Sequence, residues 1–126
     1  MNFTIPIPPR TKKNSSRIVF AKNRRIIIPS ELYKKFENDS KPFIPSLDSP
    51  IDYPINLKCV YYMPSKRRVD LSNLISATSD ILVKHKLILD DNRNIIAAYD
   101  GSRVLYDKNC PRTEITITKL EDYQQW

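Results

Sequence analysis

The chain has 126 residues, 40% of them hydrophobic, which suits one domain with a modest core and leaves little room for a second. Its 21 basic and 14 acidic residues leave a net charge of +7. The cysteines, 51 residues apart without a CxxC, and a single histidine argue against zinc, while the lack of an apolar h-region or of about 18 consecutive apolar residues argues against a signal peptide or membrane span; the compartment expected is a reducing cytoplasm.

Met1 to Ile7 alternates Phe3, Ile5 and Ile7 and reads as a strand, which Pro6, Pro8 and Pro9 restrict to an edge or end. Residues 10–17 read as a polar basic loop. Val19-Phe20 and Ile26-Ile27-Ile28 bracket Asn23-Arg24-Arg25 as a hairpin would. Residues 1–30 hold Arg10, Lys12, Lys13, Arg17, Lys22, Arg24 and Arg25 and no Asp or Glu, which accounts for the whole excess of positive charge. A neutral body with a cationic N-terminal segment points to a polyanion partner. Ser30 is a good N-cap, with Glu31 in the first turn and Leu32, Tyr33 and Phe36 on one helical face. Pro42, Pro45, Pro50 and Pro54 make residues 41–54 a connector.

Ile55 to Tyr62 alternates again, with Ile55, Leu57, Cys59 and Tyr61 on one face, so it reads as a strand with a packed thiol. Asp70 is placed to cap a helix over residues 71–84. Leu71, Leu74, Ile75, Thr78, Ile81 and Leu82 give its buried stripe, and Asn73, Ala77, Asp80 and Lys84 line another face. Residues 95–99, 103–106 and 114–119 read as further strands, Asp100-Gly101 as a turn. About five strands and two main helices make a single-domain α+β fold with a mixed sheet. Gly101 is the only glycine, which excludes Gly-rich phosphate loops.

The most informative stretch is Lys66-Arg67-Arg68-Val69-Asp70-Leu71-Ser72-Asn73-Leu74 with Leu89-Asp90-Asp91-Asn92 behind it. Carboxylates bind hard divalent cations such as Mg²⁺, with Mn²⁺ as an alternative, and lysines and arginines bind phosphates. Asp70, Asp90 and Asp91 are therefore candidate metal ligands and catalytic residues. Lys12, Lys13, Asn14, Arg17, Lys66, Arg67, Arg68, Arg103 and Arg112 are candidate DNA contacts, Arg103 and Arg112 pairing with local acids as an equal alternative. A helix over 71–84 is about 21 Å long, and the seven residues after it span about 23 Å if extended. The chain can therefore return Asp91 toward Asp70, with Leu87-Ile88-Leu89 packing on the way, or a partner chain can complete the site. Read singly, Asp70 is also a cap, Asp90-Asp91 a solvated turn, and Asp80 a surface residue or one that supports the site from behind.

Over Met63 to Leu74, Leu89 to Asp91, Ile5 to Pro9, Thr11 to Ser15 and Pro111 to Ile117, the chain resembles the RusA family of Holliday-junction resolvases. The resemblance implies an α+β homodimer that cuts four-way DNA junctions with Mg²⁺, of a kind common in phages and prophages. Asp70 matches the family's first aspartate, Asn73 its asparagine, here placed among the DNA contacts, and Asp90-Asp91 its downstream pair. The second aspartate falls on Ser72, which offers the metal only a neutral oxygen or a held water, and the following lysine falls on Ser76. Three functions compete on this reading: a Mg²⁺-dependent junction resolvase, a junction-binding protein of the same fold with weakened catalysis, and a basic RNA-binding module.

Overall fold

The computed structural model describes the backbone of residues 1–12, 16–21, 24–29 and 31–121, and the side chains of 1–12 and 31–121. Strands β1 (Asn2–Ile5), β4 (Ile55–Met63), β5 (Ile96–Ala98), β6 (Arg103–Tyr106) and β7 (Arg112–Lys119) form one mixed sheet. β7 lies antiparallel between β1 and β4, while β5 and β6 both pair parallel with the other edge of β4. β2 (Ser16–Ala21) and β3 (Arg24–Pro29) form a separate antiparallel hairpin. The hairpin expectation therefore holds, but β2 begins at Ser16, so Arg17 is on a strand and not in the loop before it. Ser30, the expected cap, is outside the described residues. The fold is the α+β domain expected, with the helices α1 (Glu31–Ser40) and α2 (Leu71–Lys84) and a short 3₁₀ turn, Lys41–Phe43, in the proline-rich connector.

Alternation in β4 and β7 decides what the sheet buries. Ile55, Leu57, Cys59 and Tyr61 of β4 and Ile115 and Ile117 of β7 join Leu74, Ala77, Ile81 and Leu82 of α2 in one core. Burial pushes the Cys59 thiol up to about 12, which makes it an inert packing group. Tyr61 donates its hydroxyl to Thr78 Oγ1 at 2.6 Å, and Thr78 donates to the Leu74 carbonyl at 3.0 Å, so β4 is tied to α2 through a satisfied polar pair inside the core. Ala77, placed by the periodicity on another face than the buried stripe, is buried too. It follows Leu74 by three residues and precedes Ile81 by four, which makes it a neighbour of both on the helix surface. Leu32, expected inside, is 57% exposed, because Tyr33, Phe36 and Ser40 form the inward face of α1 and leave Leu32 at its margin.

One polar side chain repairs the gap between β5 and β6. β5 pairs with β4 at Ile55–Asn56 and β6 pairs at Val60–Met63. In between, Ser102 Oγ accepts from the Cys59 N–H at 3.0 Å and donates to the Leu57 carbonyl at 3.4 Å. Gly101, with φ +87°, supplies the left-handed residue that the preceding turn needs, and Asn56 pins that turn through both backbone groups of Asp100.

Candidate active site

Asp70 opens α2 from an extended conformation (φ −87°, ψ 126°). Its carbonyl accepts from the Asn73 and Leu74 N–H groups at 3.1 and 3.2 Å. Its carboxylate makes no cap hydrogen bond to the backbone and instead accepts from the Asn73 side-chain amide at 3.2 Å. The backbone alone starts the helix, so the expected side-chain cap is absent and an exposed carboxylate is left at the positive end of the helix dipole. Asn73 orients that carboxylate. The basic triplet Lys66-Arg67-Arg68 immediately precedes it and is exposed.

The far end of α2 brings Asp91 back by a local device. Lys86 takes a left-handed conformation, φ 63°. Its N–H bonds the Val83 carbonyl at 3.0 Å, and the Leu87 N–H bonds the Leu82 carbonyl at 3.0 Å. This is a Schellman ending, in which the residue after the reversal packs on the last helical turn. Leu82 and Leu87 are both fully buried, and Ile88 follows them into the core, where it bridges to Ile51. Leu89, expected to pack with them, is exposed, as the residue next along an extended segment must be.

The returned Asp91 lines a cleft of about 290 Å³ with Ser72, Ile75, Ser76, Ser79 and Tyr99. Tyr99 and Ser79 share a hydrogen bond of 3.2 Å across its floor. The single chain thus brings Asp91 onto the face of α2 that carries Ser72 and Ser76. The Asp91 carboxyl is raised above its ordinary range, first by partial desolvation, then by its hydrogen bond with Asp90 and by the charges of Asp80 and Asp90. Asp80 belongs to this electrostatic group, the second of the two places, surface or support of the site, that the sequence allows it. The available signal was the spacing of Ser72, Ser76 and Asp80, three residues at successive four-residue steps on one helix. Asp90 is occupied locally: its carboxylate accepts from the Asp91 N–H at 2.7 Å and the Asn92 amide at 3.2 Å, which shapes the turn.

The donors present are hard oxygens, which suit Mg²⁺, and the charges of Asp80 and Asp90 act on Asp91 in addition to its desolvation. Among the described residues, however, no group of three or more His, Cys, Asp or Glu is assembled at metal-holding distance. A cation held here would rely on water and phosphate oxygens for the rest of its shell, as Mg²⁺ commonly does.

The candidate DNA contacts divide in the same way. Lys12 pairs with Asp80 at 2.5 Å and lies over the Tyr33 ring, so it meets the α2 face while its side chain stays about half exposed. Lys66 rides on the Tyr106 ring, 5.2 Å from its centre. Arg112 takes the second of its two readings, pairing with local acids. Its guanidinium stacks 3.7 Å from the Tyr62 ring centre and bonds Asp107 and Glu114, which hold it protonated and neutralise it; it braces β7 and is not a free phosphate contact. Arg103 is exposed on β6. Lys13 and Asn14 lie outside the described residues, as does the Arg17 side chain. Arg67 and Arg68 line a second cleft, of about 600 Å³, together with Arg10 of the basic loop expected over residues 10–17.

Residues 6–118 match the profile of the family described as endodeoxyribonuclease RusA. No curated protein matches the chain.

Proposed function

We infer that the chain, which belongs to the RusA endodeoxyribonuclease family, is a Mg²⁺-dependent, structure-selective nuclease that resolves four-way DNA junctions by paired phosphodiester hydrolysis. The observation that carries this reading is the return of Asp91 onto the Ser72–Ser76 face of α2, the helix that the exposed Asp70 and its basic triplet lead into. Asp70 and Asp91 would hold the metal, with Asp90 shaping the Asp91 turn and Ser72 holding a water. A bound Mg²⁺ polarises a phosphodiester and lowers the pKa of attacking water. Arg67, Arg68 and the N-terminal basic segment bind the flanking phosphates and set the register of the strand. Asn73 keeps the Asp70 carboxylate oriented. Two opposed cuts in a junction of approximate two-fold symmetry call for two sites at fixed separation, so the active species is a C2 homodimer. The two unbridged cysteines suit a reducing cytoplasm.

A second reading, a junction-binding protein with weakened catalysis, draws on Ser72 and Ser76 and on the absence of a three-acid cluster among the described residues. One assay separates the two. A synthetic four-way junction and a matched linear duplex are incubated with Mg²⁺ or with EDTA. Paired Mg²⁺-dependent nicks in the junction support the nuclease, and Asp70→Asn should abolish them while junction binding stays within a few-fold. A retarded but intact junction supports the binding protein, and a preference for RNA over both would sink both readings.

A further inference from the structure

We propose that Tyr99 is a water-positioning residue of the cleft beside Asp91, its phenol oxygen accepting one proton of the water that attacks the phosphodiester. The proposal rests on the nuclease reading and deepens it. Tyr99 lines the cleft with Asp91, Ser72 and Ser76. It follows the last residue of β5 and is 36% exposed. Two independent supports hold it. Its carbonyl accepts from the Ser102 N–H at 3.1 Å, and Asn56 grips the next residue, Asp100, through both backbone groups. Its hydroxyl meets Ser79 Oγ of α2 at 3.2 Å. A side chain fixed at both ends is preorganised for whatever it faces.

The placement of protons decides what the phenol can offer. Ser79 has one hydroxyl proton and gives it to the Ile75 carbonyl at 2.9 Å. Ser79 therefore accepts in its contact with Tyr99, and the phenol is the donor. The same series of donors runs one residue earlier on the helix, from Tyr61 to Thr78 to the Leu74 carbonyl. There both side chains are buried, and the pair serves only to tie β4 to α2. Tyr99 differs in facing the cleft. With its proton spent on Ser79, its oxygen presents lone pairs alone to whatever enters.

An acceptor with no proton to give selects its ligand. A phosphodiester oxygen is itself an acceptor and gains no hydrogen bond from Tyr99. A water carries two protons. Held between Tyr99 and the Asp91 carboxylate, it donates one to each and keeps a lone pair for attack. Asp91 has two oxygens, so holding a metal with one leaves the other for this water. One acceptor alone would let the water turn about a single hydrogen bond, and the second fixes its direction, which is how a site converts proximity into rate. An alcohol has one proton for the two acceptors and leaves one of them unpaired, so the pair discriminates against it.

Tyr99→Phe removes the oxygen and keeps the ring. With Mg²⁺ the variant should nick a four-way junction roughly five- to ten-fold more slowly than wild type, with junction affinity in EDTA within two-fold. A loosened cleft would also slow the rate, so the products are read as well. Methanol is added as a competing nucleophile, and methyl-ester and free-phosphate ends are counted by mass spectrometry. The share of methyl ester should rise about five-fold in Tyr99→Phe, because the acceptor that methanol leaves unpaired is gone. An unchanged share, an unchanged rate, or a matching loss of junction affinity overturns the proposal. A crystal structure of the wild type in EDTA, at a resolution that shows waters, gives a second measure that needs neither the variant nor cleavage. One water should lie within hydrogen-bond distance of both Tyr99 Oη and an Asp91 carboxylate oxygen, and a Tyr99 oxygen without such a water overturns the proposal. Wild type that holds this water but leaves junctions uncut with Mg²⁺ would remove the nuclease reading and keep the water seat.

Discussion

At the scale of single residues, Asp91 is the informative group. Its carboxyl is raised by desolvation and by Asp90 and Asp80. A raised acid holds more protons in the folded than in the unfolded chain between the ordinary value, about 3.9, and the folded one. Stability therefore falls as pH rises through that window, and above it ionised Asp91 is a standing cost. Asp91→Asn should be more stable than wild type at pH 7, by less than about 1 kcal/mol because the group is exposed and screened. The difference should disappear below about pH 3, where wild type is protonated too. Denaturant melts at both pH values check this, and a difference independent of pH would show that the asparagine acts through packing. Ser72 offers the complementary change. Ser72→Asp puts a second carboxylate into the Asp91 cleft near the helix start, where the dipole favours it. Junction nicking should then saturate at a lower Mg²⁺ concentration with the substrate preference unchanged. A variant that needs as much metal as wild type would remove Ser72 from the vicinity of the metal.

At the scale of elements, the ending of α2 places Asp91. The periodicity of residues 71–84 makes the helix legible, and the reach of the following segment makes a return feasible. Neither says that Lys86 will enter the left-handed region, where glycine is usual. The two buried leucines, Leu82 and Leu87, hold it there. A non-glycine residue in that conformation costs roughly 1–2 kcal/mol, so Lys86→Gly should stabilise the fold by about 0.5–1 kcal/mol after glycine's extra unfolded-state freedom is subtracted. A thermal or urea melt reads that gain, and a loss of stability would mean that the lysine stem contributes packing that outweighs the strain. The turn at Gly101 is the opposite case. Its φ is positive, and a Cβ there would meet the Lys58 stem at 3.1 Å, which leaves glycine the only unstrained residue. Gly101→Ala should destabilise by about 1 kcal/mol or more, measured in the same melts, and an unchanged midpoint would show that the turn relaxes freely.

At the scale of the whole molecule, charge and symmetry set the expected behaviour toward DNA. If a dimer neutralises about 6 to 10 phosphates, junction affinity should fall roughly 10³-fold or more between 50 and 200 mM salt. A shallow slope would place recognition on something other than the basic surface. The strand alternation, the hairpin, the two helices, the basic N-terminal segment and the Asp70 and Asp90-Asp91 motifs are all legible in the sequence, because each depends on a local period or on the chemistry of a short run. What only the tertiary structure decides is which charges are free and which are spent. Lys12 is drawn onto Asp80, and Arg10 has no carboxylate partner among the described residues where it stands opposite Arg67 and Arg68. The same holds for Asp80, which reaches Asp91 only once the chain has reversed at Lys86. These outcomes depend on distances between segments far apart in sequence. Coulomb interactions and hydrogen bonds act over a few ångströms of space, whatever the separation along the chain, so the partner of each charge is settled only when the fold closes.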